Sequence, residues 1–328
     1  MSDDNPRPHK RQRTQSSGEL ATPESLRPLP PAILLVSLPA LLVHPPNHRL
    51  YPHSLFLSLA SLRKCLALPA LSPEIECRAW TGLAEIGMKV IGGGLSQSEE
   101  HPWAKDIEAE VGKALSKGSI IAQKHPSLRA YRHHLVLLQA QLSHWQHKTK
   151  FARTQIRNLI ASFWPTDPPH IVYSAHLAAI SLLTTPNSPP TSSLSKPMHA
   201  SPSPPHSRQD IHAALAAVEE LERLSITNGH TRVTLFIHVL RLRILVAANM
   251  WADVPDALQR SETSLGLSYT PASTPKPRKD PRTDVSTPPE ATFVAFEDPL
   301  EAAMVVHLLI MAVVFYTHVG SAADVSPV

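Results

Sequence analysis

Between Leu128 and Phe163 the chain carries two apolar stripes at helical spacing, with a break of about three residues between them. Leu128, Tyr131, Leu135, Leu138, Leu142 and Trp145 recur at steps of three and four, and Ala152, Ile156, Leu159, Ile160 and Phe163 repeat the pattern. At 3.6 residues per turn, each set lines one side of a helix. Helices joined by so short a turn pack antiparallel. Further helices are expected over about 51–68, 73–90, 103–124, 170–183, 211–224, 231–248, 253–265 and 299–317. Helix pairs then recur at roughly 35 to 45 residues, the period of tetratricopeptide-like arrays. The predicted fold is all-α: an α-solenoid of tetratricopeptide-like helix pairs, about ten helices in all, with a disordered N-terminus and Pro-rich inserts.

Proline marks the interruptions. The chain holds 33 prolines and only 5% aromatic residues in 328 positions, and proline stops helices and blocks sheet ladders. Residues 1–48 read as a disordered N-terminal region and 49–184 as the first part of the repeats. A Pro/Ser-rich linker over 185–208 holds seven prolines and seven serines. Residues 209–269 form the second part, 270–295 a Pro-rich basic linker, and 296–328 an apolar helix of a repeat that reads as truncated. Ser72-Pro73-Glu74 has the form of a helix start, and Gly92-Gly93-Gly94 that of a helix stop. Ala114, Gly118 and Ala122 make a ridge of small residues that lets a neighbouring helix come close.

Chemistry-bearing motifs are sparse. Cys65 and Cys77 are too few for a disulfide framework or a zinc site and read as buried free thiols. Adjacent His133 and His134 point to different faces of a helix, and His144 with His147 has no carboxylate or cysteine nearby. Glu219, Glu220 and Glu222 read as a solvated helix face. No nucleotide-binding or hydrolase fingerprint occurs. The chain is therefore expected to be no enzyme, with no cofactor, metal or small-molecule substrate. A net charge of +4 spread along the sequence does not argue for a nucleic-acid surface. Lys10, Arg11 and Arg13 read either as a nuclear import signal or as a solvated charge run. Ser/Thr-Pro pairs such as Ser188-Pro189 and Thr274-Pro275 read either as kinase sites or as chance in a Ser/Pro-rich linker. The apolar run from Ala302 to Tyr316 is short for a membrane span, so burial between neighbouring helices is expected, with a membrane anchor as the alternative.

Several stretches together resemble the cohesin-loading-factor family, the tetratricopeptide-like subunit of the cohesin loader. They are 71–78 (Leu71-Ser72-Pro73-Glu74 into Ile75-Glu76-Cys77-Arg78), 111–118 with 121–126, Leu137 to Leu142, and 169–176. The similarity covers about residues 50 to 269. The resemblance implies a non-enzymatic nuclear scaffold that surrounds the extended N-terminal segment of a large HEAT-repeat subunit. Through that partner it would promote loading of cohesin onto chromatin, and so sister-chromatid cohesion. It also implies more helices than this chain carries, hence the expectation of truncation. With Leu135, Leu138 and Leu142 taken as packing positions, His133, Val136, Ala140, Ser143 and His144 fall on the expected partner groove, with Arg243 in the later helix. The alternative is a helical-repeat adaptor for another protein partner, either free or membrane-anchored through 302–316.

Overall fold

Proline and capping residues set where the helices begin. A computed structural model describes residues 29–185, 208–267 and 298–323. These residues form eleven α-helices and short 3₁₀ turns, and no strand occurs among them. The helices are α1 (Pro31–Leu42), α2 (Tyr51–Leu66), α3 (Pro73–Gly92), α4 (Ile107–Lys124), α5 (Arg129–Trp145) and α6 (Thr149–Ala161). They continue as α7 (Pro169–Thr184), α8 (Arg208–Thr227), α9 (Thr231–Ala247), α10 (Val254–Ser264) and α11 (Pro299–Ala323). Helix α3 illustrates the start signal. The Ser72 side chain accepts a hydrogen bond from the Ile75 amide, Pro73 takes the first helical position, and Glu74 and Glu76 sit in the first turn against the positive end of the helix dipole.

One boundary differs from the sequence reading. Residues 31–42, assigned to the disordered N-terminal region, form α1, which packs on α2 and α3. Val36 is buried there against the main core. The run is apolar nearly all round, so it presents no stripe to a periodicity argument, and Pro39 inside it reads as a breaker. The two proline-rich inserts, and Lys10, Arg11 and Arg13, lie outside the described residues, apart from the end residues Thr185 and Arg208.

Helices α1 to α10 pack first on their sequence neighbours, and α11 packs on both α9 and α10. Gln146, His147 and Lys148 separate α5 from α6, and the two lie antiparallel around Leu137, Ala140, Ala152, Ile156 and Leu159. Helix α2 buries Leu55, Leu59 and Leu62, while the buried hydroxyls of Ser58 and Ser61 donate to the carbonyls of Ser54 and Ser58. That satisfies polar groups which would otherwise be costly inside the core. Arg153 ties α6 to α8 through Asp210 (Nη1–Oδ1 3.0 Å) and donates to the Leu182 carbonyl at 3.2 Å, so the helices on either side of the Pro/Ser-rich insert are joined.

Two glycines mark close helix crossings. A methyl group on Gly118 would stand 3.1 Å from the Leu135 side chain, as the small-residue ridge of α4 suggests. A methyl group on Gly87 would stand only 2.2 Å from Val111 Cγ2, and Val111 is itself buried on α4. Gly87→Ala gains about 1 kcal/mol of helix propensity but overpacks this crossing, which costs typically 1–3 kcal/mol. The expected result is a net loss of roughly 1 kcal/mol in urea unfolding, restored in part by Val111→Ala in the double variant. Equal or greater stability of Gly87→Ala alone would contradict the crossing.

Candidate partner-binding groove

The odd-numbered helices stand side by side. Helix α3 touches α1 and α5 as well as its sequence neighbours, and α5 touches α7. The even-numbered α2, α4 and α6 make no comparable contact with one another. So α1, α3, α5 and α7 form one wall, with α2, α4 and α6 behind it. A cavity of about 850 Å³ opens on this wall. Helix α1 contributes Val36, Pro39 and Ala40; α3 contributes Arg78, Gly82, Glu85, Ile86 and Lys89 from one face. Ala130, Tyr131, His134 and Leu137 line it from α5, and His170, Ile171 and Ser174 from α7. Among the described residues its only lining carboxylate is Glu85, which pairs with His134 Nε2 and so joins α3 to α5 across the floor. Arg78 and Lys89 are exposed and have no ion-pair partner among the described residues.

None of the six residues expected in a partner groove from sequence lines this cavity. His133, Ala140 and Ser143 are 3%, 1% and 2% exposed. His133 packs edge-on to Phe163 with ring centroids 5.0 Å apart. Ala140 belongs to the core between α5, α6 and α7, and half-buried Val136 packs against that same core. The Ser143 hydroxyl donates to the Gln139 carbonyl at 2.8 Å and faces Gln155 of α6. His144 is half-buried. Arg243 is exposed and lines a separate cavity of about 390 Å³ between α7, α8 and α9. Helix α5 buries two sides at once, Leu135, Leu138 and Leu142 against the first core and Leu137 and Ala140 against the next. That leaves only a narrow strip at Ala130, Tyr131 and His134 for the groove. Tyr131 of the expected stripe packs against the first core and also lines the cavity.

A staple fixes the start of α5 beside this strip. The Arg129 guanidinium donates to both carboxylate oxygens of Asp167, Nε–Oδ1 2.7 Å and Nη2–Oδ2 2.9 Å, and stacks 4.0 Å above the Trp164 ring. Asp167 also accepts from the Trp164 amide. These donors, Arg129 foremost, pull the Asp167 carboxyl down to about 2.

Three imidazoles respond to acid in the opposite sense from a paired histidine. Burial pushes the pKa of His133, His144 and His176 below the ordinary value of 6.5, because the charged form loses water. Their folded-state pKa values are depressed, so below 6.5 the unfolded chain takes up protons that the folded chain refuses. Stability is full above that value and declines as pH falls through it. The melting temperature is expected to drop between about pH 7 and pH 5, and His133→Phe should flatten the slope by removing one of the three groups. A melting temperature independent of pH over that range would contradict the burial of these rings.

Neither cysteine is paired; Cys65 and Cys77 are both buried. Among the described residues no group of three His, Cys, Asp or Glu side chains is placed to hold a metal ion. No family model, no curated protein and no solved structure matches this chain.

Proposed function

We propose that this chain is a non-enzymatic scaffold subunit of the cohesin loader, which holds the extended N-terminal segment of the large HEAT-repeat subunit and so promotes cohesin loading onto chromatin in the nucleus. The observation that carries the reading is the wall of α1, α3, α5 and α7 with its open cavity. Inner helices that touch one another while outer helices spread apart are the arrangement of an α-solenoid of tetratricopeptide-like pairs, and such a wall grips a long segment over a large area. The resemblance at 71–78, 111–126, 137–142 and 169–176 supplies the identity of the partner. Residues from three of these stretches line the cavity: Arg78 from the first, Leu137 from the third, and His170, Ile171 and Ser174 from the last. Co-expression of the full chain with the N-terminal segment of the large loader subunit should yield a stable one-to-one complex. Two separate elution peaks would contradict the proposal.

Helix α11 favours a second reading, an adaptor held at a membrane. Pro299–Gly320 is 22 residues long with a mean hydropathy of 2.0, long and apolar enough to cross a bilayer by length and composition. Met304, Leu308, Met311 and Phe315 share a core with α9 and α10 and Val305 is buried, whereas Val306, Leu309, Ile310, Val313 and Tyr316 are exposed. Burial between neighbours therefore holds for one face only. Under this reading the chain sediments with membranes after carbonate extraction, and Ile310→Lys with Val313→Lys releases it. Recovery of the unaltered chain in the soluble fraction would exclude the anchor.

A further inference from the structure

We infer that the cavity on the α1–α3–α5–α7 wall reads an acidic, extended peptide, whose carboxylates pair with Arg78 and Lys89. The inference rests on the groove reading above and deepens it by naming the chemistry of the occupant. Arg78 and Lys89 share one face of α3 and are three turns apart, roughly 16 Å along the axis. Both are exposed and have no ion-pair partner among the described residues, while Glu85 between them is engaged by His134. The lining thus presents two free cations and no free carboxylate. The surface between them is apolar and low: Gly82 has no side chain, and Ile86 is buried. Extended backbone rises about 3.3 Å per residue, so the two cations match acidic side chains roughly four to six residues apart. Apolar side chains of the segment would rest on the floor in between, beside Tyr131 of α5. A nucleic-acid strand fits less well. Its phosphates need a continuous row of cations and its bases need stacking platforms, whereas here a carboxylate interrupts the row, and among the described residues the lining rings are Tyr131, His134, which Glu85 holds, and His170.

Random peptides of about twelve residues, displayed on phage and selected on the full chain, test this directly. Selected sequences should carry Asp or Glu at two positions four to six residues apart, flanking apolar residues. Their affinity, read by fluorescence anisotropy, should fall about tenfold or more in the double variant R78E/K89E and weaken with added salt. Selection on R78E/K89E should return Lys or Arg at the same spacing. Both substituted side chains are exposed, so the circular-dichroism melt should not change, and R78Q/K89Q should give an intermediate loss. Selected peptides that lack the acidic pair, or bind R78E/K89E equally well, overturn the inference and leave the groove reading standing. Failure to select any peptide overturns the inference; failure of the loader co-purification as well removes the groove reading with it. A fluorescein-labelled oligothymidine strand that binds the wild type, is lost in R78E/K89E, and is not displaced by peptide would also overturn the inference, by assigning the two cations to phosphates.

Discussion

Ala40→Trp combined with Ser174→Trp should abolish capture of the partner segment while leaving the melting temperature unchanged. Ala40 lies on α1 and Ser174 on α7, at opposite ends of the wall, and both are exposed. An indole at each site fills the cavity from both ends without entering a core. The folded state loses little: the Ser174 hydroxyl bonds only the His170 carbonyl one turn back, and surface substitutions usually stay within about 0.5 kcal/mol. A segment excluded from its central contacts should bind at least about 100-fold more weakly, some 3 kcal/mol. Calorimetric titration of the double variant checks this. Unchanged affinity would place the partner away from the wall, whatever the fate of the charged pair.

The second large effect concerns folding. Arg129→Ala leaves the Asp167 carboxylate, with 5% of its side chain exposed, facing the space its partner occupied. Two charge-assisted hydrogen bonds and the stack on Trp164 are lost together. Removing one partner of such a pair costs more than the pair itself contributes, because the other charge is stranded. The expected loss is about 2–3 kcal/mol, or roughly 5–10 °C in melting temperature. The pH dependence separates this staple from the buried histidines. The Asp167 pKa is depressed from 3.8 to about 2, so its contribution is complete above about 4 and disappears as pH falls toward 2. That contribution is about 2 kcal/mol at neutral pH. Wild type and Arg129→Ala should therefore converge in stability at strongly acidic pH. Parallel curves down to pH 2 would show that the ion pair is not what the variant removes.

Helix existence and type were legible wherever one face of a helix is buried. The stripe in α5, the cap at Ser72, the glycine stop at Gly92 and the small ridge on α4 all correspond to elements of the structure. Legibility failed where the apolar residues are not one-sided. Helix α1 has apolar residues on all sides and so no period. Helix α11 is legible as a helix but is likewise apolar all round and packs on one face only, so no pattern distinguishes its covered face from its open one. The expected groove residues do not line the cavity, for a related reason. A helix in the interior of a row packs forward and backward, so residues beside the main stripe, such as His133, Ala140 and Ser143, belong to the next interface and not to a surface. Which strip stays open depends on how adjacent pairs are rotated, and that depends on contacts such as Gly87 with Val111 and Arg153 with Asp210, far apart in sequence.

Hydrogen exchange of the full chain, followed by mass spectrometry with and without the N-terminal segment of the large loader subunit, tests the central claim most directly. If the segment lies on the wall, protection rises in α1, α3, α5 and α7, and α2, α4 and α6 behind them change little. No binding, or protection confined to α9, α10 and α11, would contradict the account.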